Sequence, residues 1–93
     1  MATKKTTTKT TKPEPKTWAD LDRKAREALA RDQIANAKNY RRTAEARRYD
    51  AARYDERDWH ASAGSHRRTA TIMEKLADRS EALADLIRQH LND

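Results

Sequence analysis

Large apolar residues are sparse along this chain and fall into two unlike patterns. Toward the C-terminal end, Ile72, Met73, Leu76, Leu83, Leu86, Ile87 and Leu91 recur at spacings of three, four and seven, the period that lines one face of an α-helix. Upstream, Trp18, Leu21, Ala25, Ala28 and Leu29 make one apolar patch. Ala37, Tyr40, Ala44, Ala51 and Tyr54 make another, rotated around the helix cylinder. Trp18, Leu29, Tyr40 and Ala51 recur every eleven residues, a period that favours straight or slightly right-handed packing over a left-handed coil. The pattern predicts two helices and no strand.

Boundaries follow from the helix breakers. Residues 16–63 contain neither glycine nor proline, so the first helix is predicted over 18–63 and a shorter one over 65–92. Thr17 and Asp20 have the spacing of a capping box, and Asp20 and Asp22 place negative charge at the positive end of the helix dipole. Gly64 is the residue expected to take a left-handed conformation and close the first helix, with Ser65 capping the next. Thr71 with Glu74 offers a second start, so the turn is predicted between Gly64 and Thr71.

Composition sharpens this to an all-α fold. Leu and Ile together number nine of 93 residues, and Val and Phe are absent. So little large apolar surface in so charged a chain is the signature of disorder. Seventeen Ala and thirteen Arg outweigh it through helix propensity. The expected architecture is a disordered N-terminal tail over 1–17 and a two-helix unit over 18–93, folded as a helical hairpin or an extended coiled-coil-like rod.

The predicted helices differ in length, about 68 Å against about 40 Å at 1.5 Å per residue. A hairpin turning at Gly64 would cover Tyr40 to Ala61 and leave Trp18 to Leu29 exposed, which calls for another chain. The expected helix-packing or oligomer face is Trp18, Leu21, Leu29, Tyr40, Trp59, Ile72, Leu76, Leu83, Leu86 and Ile87. Trp59 is expected to pack across the turn onto Ile72 or Met73, and Trp18 to anchor in a partner's pocket.

Charge supplies the functional signal. The formal net charge is +6, of which +4 lies within residues 1–17. Lys4, Lys5, Lys9, Lys12 and Lys16, interleaved with Thr, can neutralise phosphates without sequence preference. Lys38, Arg41, Arg42 and Arg48 share a broad helical face, with Tyr40 and Tyr49 placed for stacking. The same stretch also reads as a solvated face of same-helix ion pairs, Glu27 with Arg31, Arg41 with Glu45 and Asp50 with Arg53.

Other chemistry is poorly supported. There is no cysteine, hence no disulfide and no thiolate metal site. His60 and His66 are six residues apart, which separates them on a helix, and His90 is distant. Ser62, Ser65 and Ser80 offer hydroxyls, but a nucleophile needs a base, an orienting group and a concave site, which a thin helical rod does not readily build, so no enzyme, metal or cofactor is expected. No apolar run approaches the roughly 18 residues of a membrane span. Asn39 and Arg47 match two positions of the basic region of leucine-zipper transcription factors, but Arg57 stands where that family starts its zipper. Trp59 is not followed by the glycine turn of the small WXG proteins. The expected function is a non-enzymatic helical accessory protein of the cytoplasm that self-associates and contacts nucleic acid or another polyanion without sequence specificity. The alternative is a structural or interaction protein docking on a larger protein partner, such as a virion component or host-targeting factor of a phage.

Overall fold

Residues 17–93 are described by a computed structural model, in which the predicted capping box forms but closes only a single turn. The backbone N–H and the hydroxyl of Thr17 both donate to Asp20 Oδ2, at 3.2 and 3.0 Å, and the residues between them, Trp18–Asp20, make a 3-10 turn. Leu21 is extended and breaks the run. Asp22 then caps the long helix α1 (Arg23–Glu56), its carboxylate accepting from the N–H of Ala25 at 2.8 Å. A negative cap at the positive end of the helix dipole is favourable twice over.

The reversal comes earlier than predicted, at Arg57 to Trp59, and α2 spans His60–Gln89. Asp58 has a φ of 61°, the left-handed region that Asp tolerates better than most L-residues. The N–H groups of Arg57 and Trp59 donate to the carbonyl of Tyr54 at 3.1 and 2.9 Å, and that of Asp58 to Asp55 at 2.9 Å. Gly64 does not turn the chain. It lies inside α2, no glycine among the described residues has positive φ, and the predicted boundaries of 18–63 and 65–92 are replaced by 23–56 and 60–89.

That shift of the turn removes the length mismatch. Helices of 34 and 30 residues extend about 51 and 45 Å, so the N-terminal end of α1 is covered by the chain's own C-terminal end. Trp18, with Ile34 and Leu91, packs against Ala30, Ala84 and Ile87. Arg26 locks this end. It is only 5 % exposed. Its Nη1 donates to the main-chain oxygens of Leu91 at 2.9 Å and Asp93 at 3.2 Å, and its Nη2 to that of Trp18 at 2.7 Å. Oxygens at and beyond a helix C-terminus lack intrahelical partners, and one guanidinium satisfies several at once. The same guanidinium lies 4.3 Å over the Trp18 ring.

Alanine, not leucine, fills the seam between the helices. Ala30, Ala37, Ala44 and Ala51 on α1 and Ala63, Ala70, Ala77 and Ala84 on α2 are all buried, each seven residues from the next. A seven-residue repeat is the period of a left-handed antiparallel coil, so the eleven-residue repeat through Trp18, Leu29, Tyr40 and Ala51 is not the packing repeat. Methyl side chains let the helix axes approach to about 8 Å, the close end of the usual range. Of the nine Leu and Ile residues only Ile87 is buried, whereas Leu29, Ile72, Leu83 and Leu86 are exposed. Trp59 sits in the turn, exposed and stacked on Tyr54 at 5.7 Å, rather than on Ile72 or Met73.

Candidate functional site

With the alanine seam fixed, the helical repeat assigns the remaining side chains to two flanks. On each helix the position four residues after a seam alanine lies about 40° to one side, and the position one before it about 100° to the other.

The first flank is a ladder of ion pairs. Arg41, Arg48 and Asp55, seven apart on α1, meet Glu81, Glu74 and Arg67, seven apart on α2. Arg41 Nη2 is 2.6 Å from Glu81 and 3.0 Å from Asp78. Arg48 is bidentate on Glu74, at 2.7 and 3.1 Å. Asp55 bonds Arg67 and also His60 Nδ1, the latter at 2.7 Å. Hydrogen bonds to Glu81 and then Asp78 push the Arg41 guanidinium above its ordinary pKa, and the bond to Glu74 does the same for Arg48. Conversely, Arg48 holds the Glu74 carboxyl below its usual value. Arg67 first and His60 second do so for Asp55. The predicted same-helix pairs of Glu27 with Arg31, Arg41 with Glu45 and Asp50 with Arg53 are absent among the described residues, where arginines instead bridge the two helices.

The ladder divides the expected polyanion face. Arg41 and Arg48 already face carboxylates. Lys38 and Arg42 point outward, and Arg42 donates to Asn39 Oδ1 at 3.1 Å. They continue an exposed ridge along α1 of Lys24, Arg31, Lys38, Arg42, Tyr49 and Arg53, on which Glu45 also lies. The Arg53 guanidinium is 5.8 Å from the Tyr49 ring, so Tyr49 belongs to this ridge, whereas Tyr40 is half-buried on the other flank. Lys4, Lys5, Lys9, Lys12 and Lys16 fall outside the described residues.

The second flank is apolar and open. Trp18, Leu83, Leu86 and Ile87 line one hollow, and Tyr40, Leu76, Leu83 and Leu86 line another. Sharing Leu83 and Leu86, the two hollows form one groove. It gathers six residues of the face expected from sequence: Trp18, Tyr40, Leu76, Leu83, Leu86 and Ile87. It does not gather Leu21, which is half-buried in the extended link, Leu29, which is exposed on α1, Ile72, which lies in a separate hollow with Arg67, Arg68 and Thr71, or Trp59, which lies at the turn. Arg26, Gln33 and Ser80 are structural participants that sequence reasoning missed. Gln33 lines the groove with Ser80. Both sit three residues after a seam alanine, and Arg26 four before one, a relation visible only once the alanine repeat is recognised.

Near the turn, Tyr54 stacks between Trp59 and His66, with ring centroids at 5.7 and 5.1 Å. Arg47 donates to His66 Nδ1 at 3.0 Å, since an arginine N–H can only donate. No group of three metal-ligating side chains forms among the described residues. None of the described helices is long and apolar enough to cross a membrane. No family model, curated protein or solved structure matches the chain.

Proposed function

We propose that this protein is a non-enzymatic helical accessory protein that self-associates and contacts nucleic acid through its phosphates, without sequence specificity. The observation that carries the reading is the sorting of charge. Carboxylates Asp55, Glu74, Asp78 and Glu81 are drawn into the interhelical ladder. Lys24, Arg31, Lys38, Arg42 and Arg53 stand outward along one ridge. The lysines of residues 1–16 add a net +4 at one end of the sequence. Phosphate contacts of this kind release counterions and read no base.

The test is a salt series of binding to labelled duplexes of two unrelated sequences. Five lysine contacts predict a logarithmic salt slope of about −4.5, the same for both duplexes. Deleting residues 1–16 flattens it, and Lys38→Glu with Arg42→Glu weakens what remains. A salt slope unchanged by the deletion removes the lysines from the mechanism, and no binding at low salt removes the function. The open apolar groove favours a second reading, an interaction protein docked on a larger protein partner such as a phage virion component or host-targeting factor. In that case nucleic acid has no effect and groove substitutions abolish the association.

A further inference from the structure

Helix α2 carries two seams, and the hairpin uses one of them. The alanine seam faces α1. Offset from it around the helix, Ile72, Leu76, Arg79, Leu83, Leu86 and His90 follow one another at alternating spacings of four and three, which is the spacing of a coiled-coil face. Both seams share the seven-residue period, so both stay straight along the same supercoiled helix. The second seam has no partner among the described residues: Ile72 is 54 %, Leu83 43 % and Leu86 52 % exposed. Leu76, Leu83 and Leu86 also line the groove that holds Trp18, where Arg79 lies among them. Four of the nine Leu and Ile side chains stand here, and no side chain larger than alanine is fully buried in the hairpin.

We infer that this face binds a second copy of the chain, with the two α2 helices antiparallel and crossing near Arg79 and Ser80, to give a four-helix assembly. The inference rests on the self-association half of the function proposed above and names the surface responsible. Two features of the pattern select a second copy in that orientation. The apolar sequence is nearly palindromic: reversal about the Arg79–Ser80 midpoint exchanges Leu76 with Leu83 and brings Ile72 to within one residue of Leu86. A face that is its own reverse is what a two-fold interface requires. Charge agrees. Parallel pairing would set Arg68, Lys75 and Arg79 each against its own copy, a repulsion repeated along the helix. Antiparallel pairing relieves the Arg68 and Lys75 clashes, bringing Lys75 within one residue of Asp85 of the second copy, and leaves only the two Arg79 side chains close together at the crossing. The ion-pair ladder and the basic ridge of α1 stay outside the assembly.

Mass measured by light scattering on the full chain tests the inference, across a dilution series in 0.5 M salt after nuclease treatment, so that no nucleic acid can bridge two copies. The expected result is a concentration-dependent rise from the 10.8 kDa chain to twice that mass. Leu83→Asp is expected to hold the protein at the single-chain mass with helical circular dichroism retained, because its side chain lies outside the seam. Arg79→Leu completes the apolar face and lowers the dissociation constant at least tenfold. The chain has no cysteine, so Arg79→Cys gives an independent reading: oxidation should cross-link it rapidly, while Tyr49→Cys on the opposite ridge should stay uncross-linked. A wild-type chain that remains monomeric at every concentration overturns the inference, and assigns the groove to a different protein. Cross-linking through Tyr49→Cys, or a dimer that survives Leu83→Asp, overturns the choice of face. Loss of nucleic-acid binding with the dimer intact leaves the inference standing and removes only the phosphate-binding half of the function.

Discussion

Asp58, with its left-handed backbone, reverses this chain six residues before the glycine that looks made for the purpose. The two sites make opposite demands. Gly64 has ordinary helical dihedrals inside α2, and a Cβ built there meets nothing nearer than an Arg68 guanidinium nitrogen at 3.5 Å, an ordinary contact. Glycine in a helix interior costs about 0.5–1 kcal/mol relative to alanine, mainly through the entropy of the unfolded chain. Gly64→Ala should therefore stabilise the protein by about that amount and raise its Tm by several degrees, read by thermal unfolding at fixed protein concentration. Were Gly64 the turn, the same substitution would strain the backbone and lower the Tm. At this scale the sequence was legible where a side chain bonds its own neighbours, as at Thr17 and Asp20. It was silent where the partner is distant: nothing in residue type distinguishes Arg26, buried beneath the C-terminal end, from twelve other arginines.

At the scale of the elements, two helices with no strand followed directly from composition and period, but their contact surface did not. Alanine is favourable on any helix face, so seventeen of them obscure the eight whose seven-residue repeat forms the seam. Leucine is the usual core residue, yet here it marks the flank that faces outward. Close approach of the helix axes makes the seam intolerant of size. Ala77, fully buried, has α1 directly across from it, so Ala77→Leu should force the helices apart and cost about 1–3 kcal/mol. The same change at exposed Ala46 should stay within about 0.5 kcal/mol. Urea unfolding of the two variants decides between an alanine seam and a leucine one, since a leucine-packed hairpin would accept an extra leucine at either site without loss.

Over the whole molecule the charges do two jobs, and pH separates them. The net excess of positive charge was visible from the sequence. The pairing was not, because Arg41 and Glu81 are forty residues apart and meet only after the turn is placed correctly. Asp55 and Glu74 have folded-state pKa values below their ordinary 3.8 and 4.5, through Arg67 and Arg48 respectively. A carboxyl whose pKa is depressed on folding binds its proton more readily in the unfolded chain. The stability it contributes is complete above the ordinary value and disappears as pH falls through the depressed one. Arg41 and Arg48 are shifted upward from values already far above working pH, so they add no slope near neutrality. Through these two carboxyls, thermal stability should thus weaken progressively as pH falls below about 4. Each pair is exposed and contributes modestly, so the informative quantity is the slope of the acid limb. Glu74→Gln combined with Asp55→Asn should shallow that limb while lowering the neutral-pH plateau only slightly, and 1 M salt should act in the same direction by screening the pairs. An acid limb identical in the double variant would mean that the ladder does not couple the helices, and that the alanine seam with the Arg26 lock holds the hairpin unaided.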